Sequence, residues 1–196
     1  VVTLGEIDLS FPSIVGITSL IFGMVMTSTD GNVFIAFILA TSLGMFAGLV
    51  NGLLVTKIGI PSIVATIGTL FFWRGLVNVI SQGSGIAIVD VADGTWHHMI
   101  FVEKLFGKIP MQFIWFIVLT GLMQWVYRYH KFGNHIHFVG DNKASAQMMG
   151  INVDNVKIIA FVQLGFFSAL AGIFTMYEML YFWPTQGEGL MLTTLA

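Results

Sequence analysis

Long stretches without a charged residue constrain this chain more than any other feature. The segments from Phe11 to Thr29 and from Val33 to Thr56 contain none. An α-helix rises about 1.5 Å per residue and needs about 20 apolar residues to cross the hydrocarbon of a bilayer. Three further stretches are long and apolar enough, namely Ile58 to Ser81, Met111 to Tyr129 and Ile158 to Tyr181. The sequence therefore predicts an all-α, polytopic transmembrane helical bundle with five spans.

The two ends of the sequence add an expectation about how much of the bundle is present. The chain starts without an initiator methionine and ends within an apolar run, and a sixth span is expected to begin around Gly189. We therefore expect residues 1–196 to form a single transmembrane domain that is incomplete at both ends.

Composition excludes several classes of partner and chemistry. Only 9% of the residues are charged, against roughly a quarter in soluble domains. The net charge of -2 leaves no basic surplus for a nucleic-acid backbone. The absence of cysteine excludes disulfides and thiolate metal sites. His97 and His98 lie near two aspartates in one loop, but adjacent histidines cannot easily aim at one ion, so no metal is expected.

Basic residues indicate the orientation, because loops rich in Lys and Arg stay on the cytoplasmic side. The segment between the fourth and fifth spans holds four of them: Arg128, Lys131, Lys143 and Lys157. Lys57 follows the second span, whereas the turn at Asp30 has no basic residue and the loop from Gln82 to Pro110 has more acids than bases. The segment between the fourth and fifth spans and the turn at Lys57 are predicted to be cytoplasmic. The turn at Asp30 and the loop from Gln82 to Pro110 are predicted to be external, so the sides alternate correctly across five spans.

Small residues recur at every fourth position of the second span. They are Ala36, Ala40, Gly44, Gly48 and Gly52. At this spacing they form one ridge on one helix face, and such ridges let two helices approach closely in lipid. We expect Gly44, Gly48 and Gly52 to be helix-packing residues.

Polar residues at membrane depth are the candidates for a solute pathway. Arg74 lies within the third span and is expected to face protein or water, either in the pathway or in a structural ion pair, unless it snorkels to the headgroups. Asn78 lies four residues after Arg74 and shares its helix face. Glu178 lies at the external end of the fifth span, where a charged carboxylate has a low free-energy cost. Asp8 precedes an uncharged span that Ser10 can cap, which describes a break between two helical pieces, and such breaks commonly line a cavity.

A short helix is predicted outside the membrane, between the fourth and fifth spans. Asn142 suits the N-cap, Gly150 suits the position after the helix, and good helix formers lie between them. Met148 and Met149 offer an adaptable apolar contact to another protein. The alternative is a connector helix that packs only on its own bundle.

Four groups of residues together resemble one known family, in the right order and at the right spacing. They are Gly5 to Ser10 with Ser13; Asn51 to Lys57 with Ile60, Pro61, Thr66, Gly68, Arg74 and Gly75; Asn142, Ala144 and Gly150 to Val153; and Pro184, Gly187 and Gly189. Over nearly its whole length the chain resembles the permease subunits of ribose-type sugar importers of the ATP-binding-cassette class.

The resemblance implies a dimer of permeases in a prokaryotic plasma (inner) membrane, an external solute-binding protein, and ATP bound on separate cytoplasmic subunits. The solute would be a monosaccharide or a similar small polar molecule. The residues implied for docking on the ATPase are Asn142, Lys143, Ala144, Met148, Met149 and Gly150. Those assigned to the solute pathway are Asp8, Ser10, Asn51, Arg74, Asn78 and Glu178. The chain has no Gly-rich phosphate-binding loop, so no cofactor is expected in it.

The sequence departs from the family pattern at several positions, and other functions are possible for such a bundle. Met191 and Thr193 replace acids that ribose-type members often carry, which suggests a solute other than ribose, and Pro12, Lys143 and Met149 depart from the pattern as well. The alternative function is an ion-coupled secondary transporter or channel, with Asp8, Arg74 and Glu178 as coupling charges. An enzyme is not expected, because no pair of catalytic groups is evident at membrane depth.

Overall fold

The structure is a computed structural model, and it describes residues 1–105 and 107–190. Nine α-helices lie in this described part of the chain. They are α1 (Phe11–Ser28), α2 (Val33–Leu53), α3 (Ser62–Ser81), α4 (Val89–Ala92), α5 (Trp96–Phe101), α6 (Met111–Tyr129), α7 (Lys131–Asp141), α8 (Lys143–Met148) and α9 (Val153–Met179). The expected sixth span, together with Met191 and Thr193, falls outside the described residues.

The predicted all-α bundle is confirmed. Within residues 1–105 and 107–190, four helices are long and apolar enough to cross a membrane: α1, α2 with its π-helical extension Leu54–Ile58, α3, and α9. Helix α6 has a suitable length of 19 residues, but its Gln, Trp, Tyr and Arg side chains lower its mean hydropathy. The predicted number of five spans is therefore approximate.

Two helices start at a residue other than the predicted one. Backbone geometry explains the first difference, and a side-chain cap explains the second. The third span begins at Ser62 rather than Ile58, because Gly59 has a left-handed φ of 80° and Pro61 precedes the first turn. Helix α9 begins at Val153, five residues before the predicted Ile158. The side chain of Asn152 accepts a hydrogen bond from the amide of Asn155 and so caps the helix at this point.

Helices α1, α2 and α9 pack together as the centre of the bundle, and α3 packs mainly on α1. Large side chains fill this centre, among them Phe22, Ile17, Ile173, Met176 and Tyr177. Helix α6 is peripheral and has no buried residue. The bundle is thus built around α1, which has most of its residues buried.

The two ends of the bundle group the loops as the predicted orientation requires. At the predicted external end, strand β1 (Ile86–Ala87) pairs antiparallel with β4 (Tyr181–Phe182), and β2 (Lys104–Leu105) pairs with β3 (Ile109–Pro110). At the other end, α7 packs on the 3-10 turn Val2–Leu4, on α8 and on α9. A second apolar cluster joins them there, made of Leu4, Ile136, Val139, Ala146, Val153, Val156 and Ala160.

Candidate functional site

The glycine ridge of α2 lies directly against α9. A Cβ added at Gly48 would overlap the carbonyl oxygen of Phe161, and one added at Gly44 would lie 2.5 Å from the carbonyl oxygen of Gly165. An added Cβ at Gly52 would lie 3.0 Å from the Cα of Ile158. These distances leave no room for a side chain, so the two helix backbones touch along this line.

The segment Gly5–Ser10 crosses the predicted cytoplasmic end of the bundle as an irregular strap before α1 begins. It is tied to α3 through its backbone, since the Ile7 amide donates to Ser62 Oγ at 3.2 Å and the Leu9 amide donates to Thr66 Oγ1 at 3.1 Å. Irregular backbone near a bilayer needs such partners, because lipid supplies none. The break between two helical pieces that the sequence suggested is therefore held by side chains of the third span.

A closed network of four side chains joins this strap to α2 and α3. Ser10 donates to Asp8 Oδ1 from both its amide and its hydroxyl, each at 2.7 Å. Asn51 donates to Asp8 Oδ2 at 3.0 Å and to Ser10 Oγ at 2.7 Å, and Thr69 Oγ1 donates to Asn51 Oδ1 at 2.7 Å. Both amide hydrogens and the amide oxygen of Asn51 are used, so Asn51 is the hub of the network.

Burial raises the pKa of Asp8 above its ordinary value, although the hydrogen bonds from Ser10 and Asn51 oppose this effect. Desolvation disfavours the charged carboxylate, whereas donors aimed at it favour the charge. The side chain is only partly buried. Asp8 is therefore a carboxyl whose protonation depends on how closely Asn51 and Ser10 stay in place.

Glu6 links the same strap to the helix predicted to dock on an ATPase. Its Oε1 accepts a hydrogen bond from Nζ of Lys157, at the start of α9, and lies 3.7 Å from Nζ of Lys143, the first residue of α8. Burial by itself would raise the pKa of Glu6, but the Lys157 hydrogen bond and the two ammonium charges outweigh it and hold that pKa below its ordinary value. One carboxylate thus connects three elements.

Helix α8 has the caps that the sequence predicted. The Asn142 side chain accepts from the Ser145 amide at 3.0 Å, and Gly150 follows the helix with a left-handed φ of 79°. Ala146 is fully buried against α7 and α9, whereas Met148 and Met149 are exposed. The exposed side chains Asn142, Lys143 and Ala144 lie on the same short helix or at its cap. The helix is docked on one face and presents the rest to solvent.

Arg74 is held inside the bundle by the loop that follows β4. Its Nη1 donates to the carbonyl oxygens of Pro184 at 3.1 Å and Gln186 at 2.9 Å, and its Nε lies 3.9 Å from Glu188 Oε1. Gln186 is buried, and its Nε2 donates to Ser19 Oγ at 2.8 Å, in the middle of α1. The loop therefore returns from the external end into the bundle.

The six candidate pathway residues do not form one cluster. Asp8, Ser10 and Asn51 come together between the strap and α2, whereas Arg74 lies farther along α3 and faces Gly16 of α1. Asn78 is exposed on α3. Glu178 is exposed as well and accepts a hydrogen bond from Gln112 of α6 at 3.1 Å, on the far side of α9.

Sequence reasoning missed four residues that complete these contacts. They are Glu6, Thr69, Gln186 and Glu188. Glu6 and Thr69 carry a signal, since an acid stands two positions before Asp8 and a hydroxyl one turn after Thr66 on the third span. Gln186 and Glu188 carry none, because polar residues in a turn after a span look like an ordinary external loop.

His97 belongs to a hydrogen-bonded group at the same end of the bundle as β1. Its Nδ1 lies 2.9 Å from the Thr95 hydroxyl and 2.9 Å from the Tyr177 hydroxyl. Burial lowers the pKa of His97, and the neighbouring His98 lowers it further. Within residues 1–105 and 107–190, no three His, Asp or Glu side chains are grouped as a metal ion would need.

Comparison with known proteins places this geometry among membrane permeases. Residues 1–196 match the family described as "Branched-chain amino acid transport system / permease component". The autoinducer 2 import system permease protein LsrC of Photorhabdus luminescens is 32% identical over 197 residues, which are 97% of this chain and 56% of that protein. Its namesake in Yersinia pseudotuberculosis serotype O:3 (strain YPIII) is 34% identical over 192 residues, or 97% and 53%.

This chain spans about half the length of these relatives. No solved structure matches it significantly. The family description and the relatives' names mention different solutes and share the permease role, which is transport and not catalysis. Because the family match covers residues 1–196, this chain belongs to the family of permease components of such transport systems.

Proposed function

We propose that this chain is the membrane-spanning part of a permease subunit in an ATP-driven importer of a prokaryotic inner membrane. The solute would be a monosaccharide or a similar small polar molecule, of the kind that the relatives' name, autoinducer 2 import, indicates. The observation that carries the proposal is the position of α8, which is docked on the bundle by Ala146 and exposes Met148 and Met149. Such a helix can transmit the movement of a partner.

A chain of polar contacts leads from α8 into the bundle. Lys143 and Lys157 share the carboxylate of Glu6, and two residues later Asp8 is bound by Asn51. Thr69 of the third span then holds the amide oxygen of Asn51. A shift of α8 therefore pulls on a strap that is attached to α1, α2 and α3, which would change the access of the bundle from one side of the membrane to the other.

Surfaces that this bundle exposes support the proposed partners. ATP would be bound by a separate cytoplasmic subunit that receives α8, and this chain would hold no cofactor. A second permease copy would cover the exposed face of α3, where Gly68, Phe71, Phe72, Gly75 and Asn78 are open to the surroundings. An external binding protein would deliver the solute near the exposed Trp96.

No observation favours the ion-coupled alternative. The charges that would serve as its coupling sites are Asp8, Arg74 and Glu178. Glu178 lies apart from the other two, exposed beside α6, where it accepts a hydrogen bond from Gln112. Arg74 donates to two backbone carbonyls and lies beside Glu188. Uptake that requires ATP and survives collapse of the ion gradient would support the importer, whereas uptake that stops with the gradient would contradict it.

Gly150→Val in the full-length permease tests the role of α8. The left-handed φ of Gly150 excludes a β-branched residue without a change in the turn, so the variant should displace the end of α8. We expect ATP hydrolysis by the assembled complex to continue while solute uptake falls at least about tenfold, since a misplaced docking element loses productive geometry. The measurement is the ratio of solute imported to ATP hydrolysed in proteoliposomes.

Gly59→Val is the matched control for this experiment. Gly59 also has a left-handed φ, of 80°, lies at the same end of the bundle, and has open space around its Cβ position. The same backbone strain there should lower stability and leave the ratio of import to hydrolysis unchanged. A stable Gly150→Val complex with normal uptake would refute the proposed coupling role.

A further inference from the structure

The loop after β4 reaches deep into the bundle. Near β1, an added Cβ at Gly23 would lie 3.6 Å from Ile86 Cγ2, which places the small external sheet at the level of Gly23 on α1. Gly187 lies against the carbonyl oxygen of Pro12, in the first turn of α1. These two levels are roughly 16 Å apart at about 1.5 Å per residue, or about half the thickness of the hydrocarbon. Pro184–Glu188 is therefore a re-entrant segment.

The re-entrant segment Pro184–Glu188 follows one face of α1 and meets α3 there. A Cβ added at Gly16 would lie 3.0 Å from the Gln186 carbonyl oxygen, 3.4 Å from Arg74 Nη1 and 3.8 Å from Val77 Cγ2. Ser13 lies one turn before Gly16, and residues at this spacing share a helix face. The segment and the two helices thus enclose a polar seam that continues toward Ser10 and the Asn51 network.

Three polar atoms on the elements that border this seam have no hydrogen-bond partner in the part of the chain that the structure describes. They are Ser13 Oγ, Trp73 Nε1 and Gln186 Oε1. Their residues are 1%, 4% and 1% exposed, so bulk water does not compensate them. Trp73 lies one turn before Val77 on α3 and packs in the same core cluster as Ile14 and Ile17 of α1. Buried polar groups are nearly always paired. Three unpaired groups, one on the segment and one on each of the two helices beside it, therefore indicate a function there.

The charges near the segment are already used, whereas the unpaired atoms are neutral. Arg74 is bound by two carbonyls and lies beside Glu188. The unpaired groups are one N–H donor on Trp73, one carbonyl acceptor on Gln186 and one hydroxyl on Ser13, which can do both. A solute hydroxyl also donates and accepts, so neutral polyhydroxylated molecules match this set, and a charged solute would lack a counter-charge in a buried place.

We propose that Ser13, Trp73 and Gln186 form a hydrogen-bonding site for the hydroxyl groups of a neutral, polyhydroxylated solute, and that the re-entrant segment is one wall of its route. The inference rests on the proposed import function and adds the contact residues to it. Solute hydroxyls would satisfy groups that are otherwise left without partners. The fully paired Asn51 network, in contrast, would keep a structural role.

Ser13→Ala and Trp73→Phe separate this role from a structural one. Each variant removes a buried polar group that has no partner, so neither should destabilise the protein through a lost hydrogen bond. For Ser13→Ala we expect an unchanged or higher thermal midpoint, and for Trp73→Phe only the loss that the smaller ring causes in the core. Both variants should lower ATP-dependent uptake about fivefold, tested with labelled D-ribose and labelled autoinducer 2. Ser168→Ala is the control, because the Ser168 hydroxyl donates to the Leu164 carbonyl at 2.9 Å. The Leu164 carbonyl keeps its backbone hydrogen bond without this hydroxyl, so the midpoint should change little and uptake should stay unchanged.

Cysteine substitution provides a test that does not require the solute to be known. Ser13→Cys, Gln186→Cys and the control Ser168→Cys are made one at a time in full-length permease without other cysteines, and the residues described here contribute none. In the importer assembled with its ATPase, a small hydrophilic methanethiosulfonate should modify the first two in at least one nucleotide state, and excess D-ribose or autoinducer 2 should slow the reaction. Ser168→Cys should stay unreactive.

The outcomes distinguish this inference from the proposed function. If the complex neither forms with an ATPase nor drives uptake, the proposed function fails. If the complex transports normally but Ser13→Cys and Gln186→Cys stay unreactive in every nucleotide state, or if Ser13→Ala and Trp73→Phe transport as wild type, the solute site is overturned and the importer function stands.

Discussion

Two helix contacts of this bundle, α2 with α9 and α1 with α3, are built in opposite ways. Between α2 and α9, Gly44, Gly48 and Gly165 bring two backbones together, and the hydroxyls of Thr41 and Ser168 donate only to carbonyls of their own helices. Between α1 and α3, in contrast, lie the strap Gly5–Ser10, the re-entrant segment Pro184–Glu188 and several polar side chains. One contact depends on shape and the other on hydrogen bonds.

This difference indicates which part of the bundle is fixed and which part rearranges. In lipid, close packing supplies the attraction between helices, and dispersion contacts weaken with a gap of less than an ångström. The α2–α9 contact therefore holds at one geometry only. Hydrogen bonds between α1, α3 and the two irregular segments can be exchanged for others, including bonds to a solute. We infer that transport leaves α2 and α9 together and changes the α1–α3 region.

Gly48→Leu should break the shape-dependent contact and have the largest effect. The new side chain would collide with the backbone of Phe161 and Val162, which cannot move without separating the two helices. We expect a loss of about 3 kcal/mol or more in the free energy of unfolding, at the upper end of overpacking effects. The measurement is unfolding of the full-length protein in detergent micelles.

Gly121→Leu is the control for the same change on α6. An added Cβ at Gly121 meets no atom within 4 Å. A leucine there should leave the free energy of unfolding close to that of the wild type, because helix interiors favour Leu over Gly. Equal losses in Gly48→Leu and Gly121→Leu would show that the α2–α9 contact is not especially tight, and would remove the contrast between the two regions.

Glu6→Gln should have the next largest effect and tests the polar region. It leaves Lys157, whose side chain is 11% exposed, without its carboxylate. Removing one partner of a buried ion pair costs about 3 kcal/mol, whereas exposed pairs contribute about 0–1 kcal/mol. The ion pair between Lys57 and Asp154, at 3.0 Å and with side chains 56% and 44% exposed, is the matched comparison at the same end of the bundle.

Coupling provides a second measurement on the same pair of variants. Glu6→Gln should lower the ratio of solute imported to ATP hydrolysed, because it detaches α8 from the strap, and Lys57→Gln should leave that ratio unchanged. A double-mutant cycle of Glu6→Gln with Lys157→Met should show non-additive losses of stability. Additive losses, or equal effects of Glu6→Gln and Lys57→Gln, would contradict the role of Glu6 as a link between α8 and the bundle.

The fold follows from the sequence wherever the physical signal is local. Uncharged runs of about 20 residues define α1 and α2, because the bilayer requires helices of that length. The predicted start of the third span was wrong because Ile58 and Ile60 are apolar, so hydropathy continues across the turn that Gly59 and Pro61 impose on the backbone. Backbone geometry at one glycine decides this boundary, and an average over side chains does not register it.

The candidate site is less accessible to sequence reasoning, because its contacts join distant segments. Asp8 and Asn51 were both identified, but their contact arises only when the strap folds across the end of α2. Arg74 was expected to have a partner, and its partners are two carbonyls and Glu188 in a loop that looks external. Glu178 was a candidate pathway residue because of its position in the fifth span, but the rotation of α9 directs its side chain to Gln112. Helix rotation and loop re-entry depend on the packed bundle, not on local pattern.

Asp8→Asn should have the smallest effect, visible in how stability depends on pH. Because burial raises the pKa of Asp8 in the folded state, the folded protein binds this proton more tightly than the unfolded chain does. Stability contributed by protonated Asp8 is then complete below the ordinary pKa of 3.8 and is lost as the pH rises through the folded-state pKa. Glu6, whose pKa is lowered, has the opposite sign and loses its contribution as the pH falls.

The difference in thermal midpoint between wild type and Asp8→Asn isolates Asp8 from Glu6, since Glu6 is present in both proteins. This difference should fall as the pH rises above 3.8 and then level off. Asn51→Leu removes a donor that favours the charged carboxylate, so it should raise the pKa of Asp8 further and move the levelling to higher pH. A difference that does not change with pH, or that rises, would show that Asn51 and Ser10 compensate the burial of Asp8 fully, which would make the strap as fixed as the α2–α9 contact.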